Sequence, residues 1–589
     1  MPAEAPVTRA VLPVPSLRAT KHFPPKASFP EIHAALTAPE QPFEIVTEAI
    51  RGIPTRLWKQ AAPSLPAILL ASRAHADRTF TVYDDERTSF EDHFRQAAVI
   101  AQRLVDDYGV RKGDRVAIAM RNFPEWSVAF WGASAAGAVV VPLNSWGTGT
   151  ELAFALEDSG ARVLFADAER IARIEKHRSA LALEAVIAVR AEQVPSGCDR
   201  MEDILGVPPE DATLPQLSIE PEDDATLFYT SGTTGRPKGA IGSHRNICSA
   251  VMNLAFAQVR GLLRSGLPLP DPGEEAPQQA YLLSVPFFHV TGCHGVLCGM
   301  TAFGGKIVLM HKWDPERALE LIEHERITSI GGVPAMVAQL MDSAHFAERD
   351  TSSVMSIGYG GAPAPPELLH RIEKQFPGAA TVSNGYGLTE TSSLATLNVG
   401  PDYSARPESV GPVLPICETK VVDAEGAELP TDELGELWIR GANVVKGYWN
   451  RPEATAAEFT DGWFHTGDLV RIDSEGFVTI VDRLKDIVIR GGENVYCAEV
   501  EAALFEHPDV RDVAVIGIPH PTLGEEVGAV VQICPGSRAS DEALRNFVTD
   551  RIAAFKAPSR IWIDEAELPR NAAGKVLKRE LKEQFSGAD

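Results

Sequence analysis

The densest chemistry in the chain lies at Thr230-Ser-Gly-Thr-Thr-Gly-Arg-Pro-Lys-Gly239, which follows the apolar run Ala225-Thr-Leu-Phe-Tyr229. Gly232 and Gly235 let backbone N–H groups approach an anion, and the hydroxyls of Thr230, Ser231, Thr233 and Thr234 add donors. Lys238 closes the loop with a compact positive charge. Such a set suits phosphate. It is not a Walker A loop, because Pro237 precedes Lys238 and Gly239 follows it. Other residues able to do chemistry stand in short polar strings. His289 lies in Phe287-Phe-His-Val290, Thr389 and Glu390 close Asn384-Gly-Tyr-Gly-Leu-Thr-Glu390, and Asp468 ends Thr466-Gly-Asp468. Arg483 and Lys485 sit in Asp482-Arg-Leu-Lys-Asp486, and Lys575 ends Leu568-Pro-Arg-Asn-Ala-Ala-Gly-Lys575. His289, Cys293, His294 and Cys298 fall close together, but the stretch is apolar, Gly-broken and without the tight pairs of a zinc site. It is read as a packed apolar turn, with His244 and His294 as core histidines. No GxSxG occurs, which disfavours a serine hydrolase.

These residues need a scaffold. From about residue 65 to 376 strand-like and helix-like runs alternate, predicting parallel sheets covered on both faces. Asp314-Pro315 supplies an N-cap and first-turn proline, Ala335–Leu340 reads as a helix, and Pro365-Pro366 opens another. A helix beginning near His244 would carry Ile247, Val251 and Leu254 on one face. After about Val410 the period drops to two, and Asp473-Ser-Glu-Gly476 turns into Phe477-Val-Thr-Ile-Val, a hairpin. The final segment mixes short strands with a helix expected over residues 541–555. The fold class is α/β: a large N-terminal domain of two α/β sheet subdomains and a small β subdomain, then a small mobile α+β C-terminal domain. The boundaries are a proline-rich arm over residues 1–30, the large domain over 31–482 (β subdomain from about 410) and the small domain over 483–589.

Composition excludes several classes. Hydrophobic residues at 44% and charged residues at 23% exclude a disordered chain. The net charge of −25 repels phosphate backbones, so nucleic acid is no expected partner. Seven sparse cysteines show no disulfide framework. The longest apolar run, residues 129–143, is short of a membrane span, and the N-terminus does not read as a signal peptide. The chain reads as cytoplasmic. If its ligands are anionic, their positive charge must be supplied locally.

The loop Thr230–Gly239 resembles the signature of the acyl-adenylate-forming superfamily, which holds acyl-CoA synthetases, adenylation domains and beetle luciferases. Seven more strings follow in that family's order: the five quoted above, Gly360-Gly-Ala-Pro363, and Gly435-Glu-Leu-Trp-Ile-Arg-Gly441. The resemblance covers roughly residues 65–580. It implies activation of a carboxylic acid by ATP to acyl-AMP and pyrophosphate, then transfer to coenzyme A. Residues 230–238 would cradle the β- and γ-phosphates, Glu390 would bind Mg²⁺, and Thr389 would bond the α-phosphate. Gly361, Ala362, Pro363, Tyr386 and Gly387 would enclose the adenine, while Asp468 and Arg483 would hold the ribose. His289 would close the acyl pocket, and Lys575 would reach from the small domain to the carboxylate and α-phosphate. Lys485 would be the hinge, and after rotation Arg490, Gly491 and Gly492 would line the pantetheine tunnel.

The acyl pocket would be lined by His289, Thr291, Gly292, Val333, Gly358, Gly360 and Gly385, with Gly332 nearby. Small residues there are expected to leave room for a medium- or long-chain fatty acid or an aryl or arylalkanoic acid. No carboxylate in these segments would pair with an amino acid's ammonium. Two alternatives stay open: an acyl-AMP ligase that loads a carrier protein, and a catalytically silent acyl-nucleotide binder. A homodimer is also left open.

Overall fold

The computed structural model describes residues 28–230, 237–266, 277–361, 366–379, 381–571 and 574–585. The N-terminal arm lies almost wholly outside them.

Two large sheets form the body. The first runs, edge to edge, Lys238–Ser243, Asp224–Thr230, Val139–Pro142, Arg115–Ala119, Val163–Asp167, Ala185–Val189 and Asp199–Arg200. All neighbours are parallel except the first pair, which is an antiparallel hairpin. The second sheet centres on the parallel strands Thr381–Tyr386, Ser356–Gly360, Ser329–Gly332, Ala280–Leu283, Lys306–Leu309 and Thr79–Tyr83. Thr396–Val399 and Glu86–Ser89 add antiparallel edges. The helix Pro124–Ala135 is buried all round from Trp126 onward, and one core cluster joins it to strands of both sheets. The long apolar run 129–143 is therefore half of that helix plus a central strand. A helix apolar on every face is what a position between two sheets demands.

The period-two region forms an antiparallel sheet of Ser409–Pro412, Phe477–Arg483, Trp463–Ile472, Gly435–Gly441 and Cys417–Val422. The last sheet contains Val488–Arg490, Glu493–Val495, Val510–His520 and Gly524–Ile533, with Arg560–Asp564 parallel to the last of these. Two parallel-rich sheets, a β unit and a small α+β unit match the expected fold class. Among the described residues no helix is long and apolar enough to cross a membrane.

Local expectations fare unevenly. Asp314 caps the helix Pro315–His324, accepting from the Arg317 N–H at 2.8 Å. The helix His244–Arg264 forms with Ile247 and Val251 buried. Between the Thr230 loop and this helix, however, stands the strand Lys238–Ser243, so Thr230 and Lys238 face each other across a hairpin. The helix expected over 541–555 ends at Thr549. Arg545 donates to the Pro558 and Ser559 carbonyls at 2.9 and 3.0 Å, so the chain has already turned back toward the strand Arg560–Asp564. The stretch around Cys293 is not a turn but a wide helix with π-type bonding over Thr291–Cys298. Such helices cost stability and recur at functional sites.

Candidate active site

Lys575 is carried on a braced loop. Arg570 and Val576 form a β-bridge, Asn571 N–H donates to the Lys575 carbonyl at 2.8 Å, and Lys575 N–H donates to Asn571 Oδ1 at 3.0 Å. Gly574 turns with φ +78°, and a Cβ there would meet Val333 Cγ2 at 2.8 Å, so the loop sits against the large domain. The Lys575 chain lies over Gly361, whose Cβ, if it had one, would be 3.7 Å from Lys575 Cε. Lys575 is exposed in part, yet surrounding protein crowds its ammonium. That crowding, with repulsion from Arg483 and Lys485, lowers its pKa to about 8, against the pull of Asp468 and Glu390. Lys485 is lowered too, by burial and by Arg483.

Asp468 is 2% exposed and held by two donors. Arg483 Nε meets Oδ1 at 2.9 Å, and Tyr386 donates its hydroxyl to Oδ2 at 2.5 Å. The register explains the first contact, since Asp468 and Arg483 are direct partners on neighbouring antiparallel strands. Burial and the Asp468 charge push the Tyr386 phenol well above its ordinary value, so it stays a donor. A carboxylate has about four acceptor positions, leaving Asp468 capacity for ligand hydroxyls.

Glu390 is 8% exposed. Val445 N–H donates to its carbonyl at 2.9 Å, and Asn443 Nδ2 donates to the next carbonyl, that of Thr391, at 3.0 Å. Tyr448 donates to Glu390 Oε1 at 2.8 Å, and its hydroxyl also lies 2.6 Å from Glu458 Oε2. Burial raises the Glu390 pKa, with Tyr448 opposing and Glu458 adding to the rise. Lys238 Nζ is ion-paired with Glu458 and stands 4.8 Å from the Tyr448 ring centroid. The strand Lys238–Ser243 is stitched to this segment: Ile241 N–H to the Gly447 carbonyl at 3.0 Å, Trp449 N–H to the Gly239 carbonyl at 2.8 Å. Thr230 donates its hydroxyl to the Lys238 carbonyl at 3.3 Å. Ser231, Gly232, Thr233, Thr234 and Gly235 lie outside the described residues, as do Ala362 and Pro363.

On the acyl side, burial and the charge of Lys575 lower the His289 pKa to about 4, so the ring is neutral near pH 7. Its Nε2 is shielded from solvent and has no hydrogen-bond partner among the described residues. Thr291 is exposed and Val333 is 6% exposed. The small residues expected to leave room are in close contact with neighbouring segments. A Cβ on Gly292 would lie 2.3 Å from the Pro286 carbonyl oxygen, and one on Gly360 2.4 Å from that of Gly385. One on Gly385 would meet Leu394 Cδ1 at 2.8 Å, one on Gly332 Ser284 Oγ at 2.9 Å, and one on Gly358 Ser383 Oγ at 3.1 Å. These glycines permit close packing of neighbouring segments and are no measure of pocket size. Gly387 is tighter still, 1.5 Å from the Ser393 carbonyl oxygen by the same construction.

The structure thus brings Lys575, His289, Gly361, Glu390, Asp468, Arg483, Tyr386 and Lys485 into one neighbourhood, with Lys238 joined to Glu390 through Glu458 and Tyr448. Thr389 opens the short turn that carries Glu390. Arg490, Gly491 and Gly492 are not part of the group. Gly491 and Gly492 form the exposed tip of a hairpin with φ +59° and +91°, and Arg490 bonds Glu526 at 3.1 Å. Tyr448 and Glu458 escape sequence reasoning. Tyr448 follows Gly447, where a Cβ would meet Thr455 Cγ2 at 2.4 Å, so the glycine itself hints at close approach, but Glu458 carries no signal.

Comparison with known proteins sets this geometry in context. Residues 70–449 match the model of the AMP-binding enzyme family, and residues 499–575 match that of the AMP-binding enzyme C-terminal domain. The chain is 36% identical over 479 residues to a feruloyl-CoA synthase of Amycolatopsis sp, covering 81% of this chain and 90% of the relative. It is 37% identical over 509 residues to a 2-succinylbenzoate–CoA ligase of Geobacillus kaustophilus, covering 85% and 94%. Among solved structures, ATP-bound MatB from Rhodopseudomonas palustris matches with a TM-score of 0.78 at 30% identity, covering 89% of this chain and 99% of that one.

Proposed function

Starting from the fact that the chain belongs to the AMP-binding enzyme family and is an AMP-forming acid–CoA ligase, we propose that its acid is an aryl or arylalkanoic acid. The feruloyl and 2-succinylbenzoate relatives support this reading at 36% and 37% identity. A long-chain fatty acid is the second reading, supported by a ligase of Mycobacterium tuberculosis with that activity at 33% identity over 529 residues.

The observation that carries the site assignment is Lys575, seated over Gly361 beside His289, Arg483 and Asp468. In the first half-reaction the acid's carboxylate attacks the α-phosphorus of ATP, and pyrophosphate leaves. Lys575 neutralises charge that builds at that phosphorus, and a compact ammonium in a crowded cleft does so strongly. The neutral His289 closes the acyl side and, in the tautomer protonated at Nε2, donates that N–H, which has no partner among the described residues, to the carboxylate. Asp468, pre-oriented by Tyr386 and Arg483, accepts the ribose hydroxyls. Gly361, Ala362, Pro363, Tyr386 and Gly387 enclose the adenine, Thr389 bonds the α-phosphate, and Lys238 with the Thr230 loop holds the β- and γ-phosphates.

The donor set suits a hard divalent cation. Glu390 offers a buried carboxylate oxygen, and no group of three or more His, Cys, Asp or Glu among the described residues could hold a metal alone. Magnesium would be held by the Glu390 carboxylate together with the substrate's phosphates, whose charge it would offset. For the second half-reaction the small domain turns about Lys485, withdrawing Lys575 and bringing Arg490, Gly491 and Gly492 to the pantetheine passage. The protein acts in the cytoplasm on small molecules.

The test is AMP and thioester production with ATP, magnesium and CoA across cinnamic, benzoic, arylpropionic and fatty acids. The aryl reading requires the highest kcat/KM among the aryl acids. A fatty acid leading the panel would overturn it.

A further inference from the structure

We propose that Glu458 is a positioning residue for the phosphate-binding lysine, holding Lys238 as its counter-ion and yielding it when ATP arrives. The inference rests on the reading above that Lys238 meets the outer phosphates of ATP.

The ammonium of Lys238 and the carboxylate of Glu458 come from residues 220 positions apart and are in direct contact. Glu458 is the last residue of the helix Pro452–Glu458, where the negative end of the helix dipole disfavours a carboxylate. Its placement is therefore explained by its partners, not by the helix. One partner is Lys238. The other is the Tyr448 hydroxyl at 2.6 Å, which also stands 2.8 Å from Glu390 Oε1. One hydroxyl proton cannot serve both acids at once, so Lys238 is the group that offsets the second carboxylate. Lys238 is also held over the Tyr448 face, 4.8 Å from its centroid.

The consequence is a competition. A phosphate reaching Lys238 must displace a carboxylate, and the displaced carboxylate then competes with Glu390 for Tyr448. Glu458 thus weakens ATP binding while keeping the lysine gathered at the loop's closing end. The pair is partly exposed, with side chains 25% and 35% accessible, so the opposition is modest. An exposed pair of this kind is worth about fivefold in a binding constant.

The experiment is calorimetric titration of ATP, and separately AMP, into the full chain without acid or CoA. Glu458→Gln is expected to tighten ATP by about fivefold and to leave AMP unchanged, because AMP lacks the phosphates assigned to Lys238. Glu458→Asp, which draws the charge back, is expected to tighten ATP by less, and it carries the test if the Gln variant does not fold. Unchanged or weaker ATP binding in the folded variant would overturn the inference, as would an equal shift for AMP. A wild-type chain that binds no ATP would instead overturn the ligase site itself, and this proposal with it.

Discussion

Lys238 and Lys575, two of the site's lysines, stand in opposite electrostatic states. Lys238 is neutralised in place, paired with Glu458 and lying against the Tyr448 ring. Lys575 is desolvated by surrounding protein and repelled by Arg483 and Lys485, which together lower its pKa against the pull of Asp468 and Glu390. The difference matches two tasks. A group that holds the leaving phosphates is useful if it binds and releases, so partial satisfaction beforehand does little harm. A group that stabilises a transition state is most effective when its charge is unmet until the charge on phosphorus develops.

The contrast can be broken at several points. Lys575→Ala is expected to cut acyl-AMP formation about 10²- to 10³-fold, the effect of losing one preorganised charge, while thioester formation from supplied acyl-AMP changes little. Single-turnover assays of the two steps check it. Lys485→Pro, which would stiffen the proposed hinge, is expected to spare acyl-AMP formation and slow the thioester step about a hundredfold through misplacement. The two variants should therefore fail at opposite steps.

The pH profile sharpens the comparison further. In its proposed role Lys575 acts as the ammonium, and its pKa is lowered to about 8, so charge is lost as pH rises through that value. The kcat/KM for acyl-AMP formation is expected to fall about tenfold per pH unit above it, since this parameter reports the free enzyme. Lys575→Arg, always charged, should abolish that limb whatever rate remains. Tyr386→Phe removes one of two donors to Asp468 and is expected to raise KM for ATP about fivefold to tenfold. The smallest effect is the tightening expected in Glu458→Gln.

Much of this site is legible in the sequence because its residues sit in contiguous strings. Asn384–Glu390 carries Tyr386 and Glu390, and Asp468 and Arg483 fall opposite each other in a hairpin whose turn, residues 473–476, is itself written in Asp and Gly. The layered fold follows from alternation of strand and helix periods for the same local reason. What escapes is long-range. Glu458 meets Lys238 across 220 residues, and Tyr448 reaches Glu390 across 58. The strand Lys238–Ser243 is hidden because its Lys-Gly-Ala-Ile-Gly-Ser sequence holds one strand former, Ile241, between two glycines, and pairing with Asp224–Thr230 and residues 446–449 makes it a strand. The glycines of the acyl side mislead for a related reason. Type alone cannot tell a glycine that opens space from one already in contact with a neighbouring backbone, as Gly292 and Gly360 are.

The central claim is that acid and ATP react before CoA is needed, with Lys575 in the reacting arrangement. Acid-dependent exchange of labelled pyrophosphate into ATP, without CoA, tests it most directly in the wild type and Lys575→Ala side by side. The account predicts robust exchange in the wild type and about 10²- to 10³-fold less in the variant. Exchange that requires CoA, or equal exchange in both proteins, would contradict it.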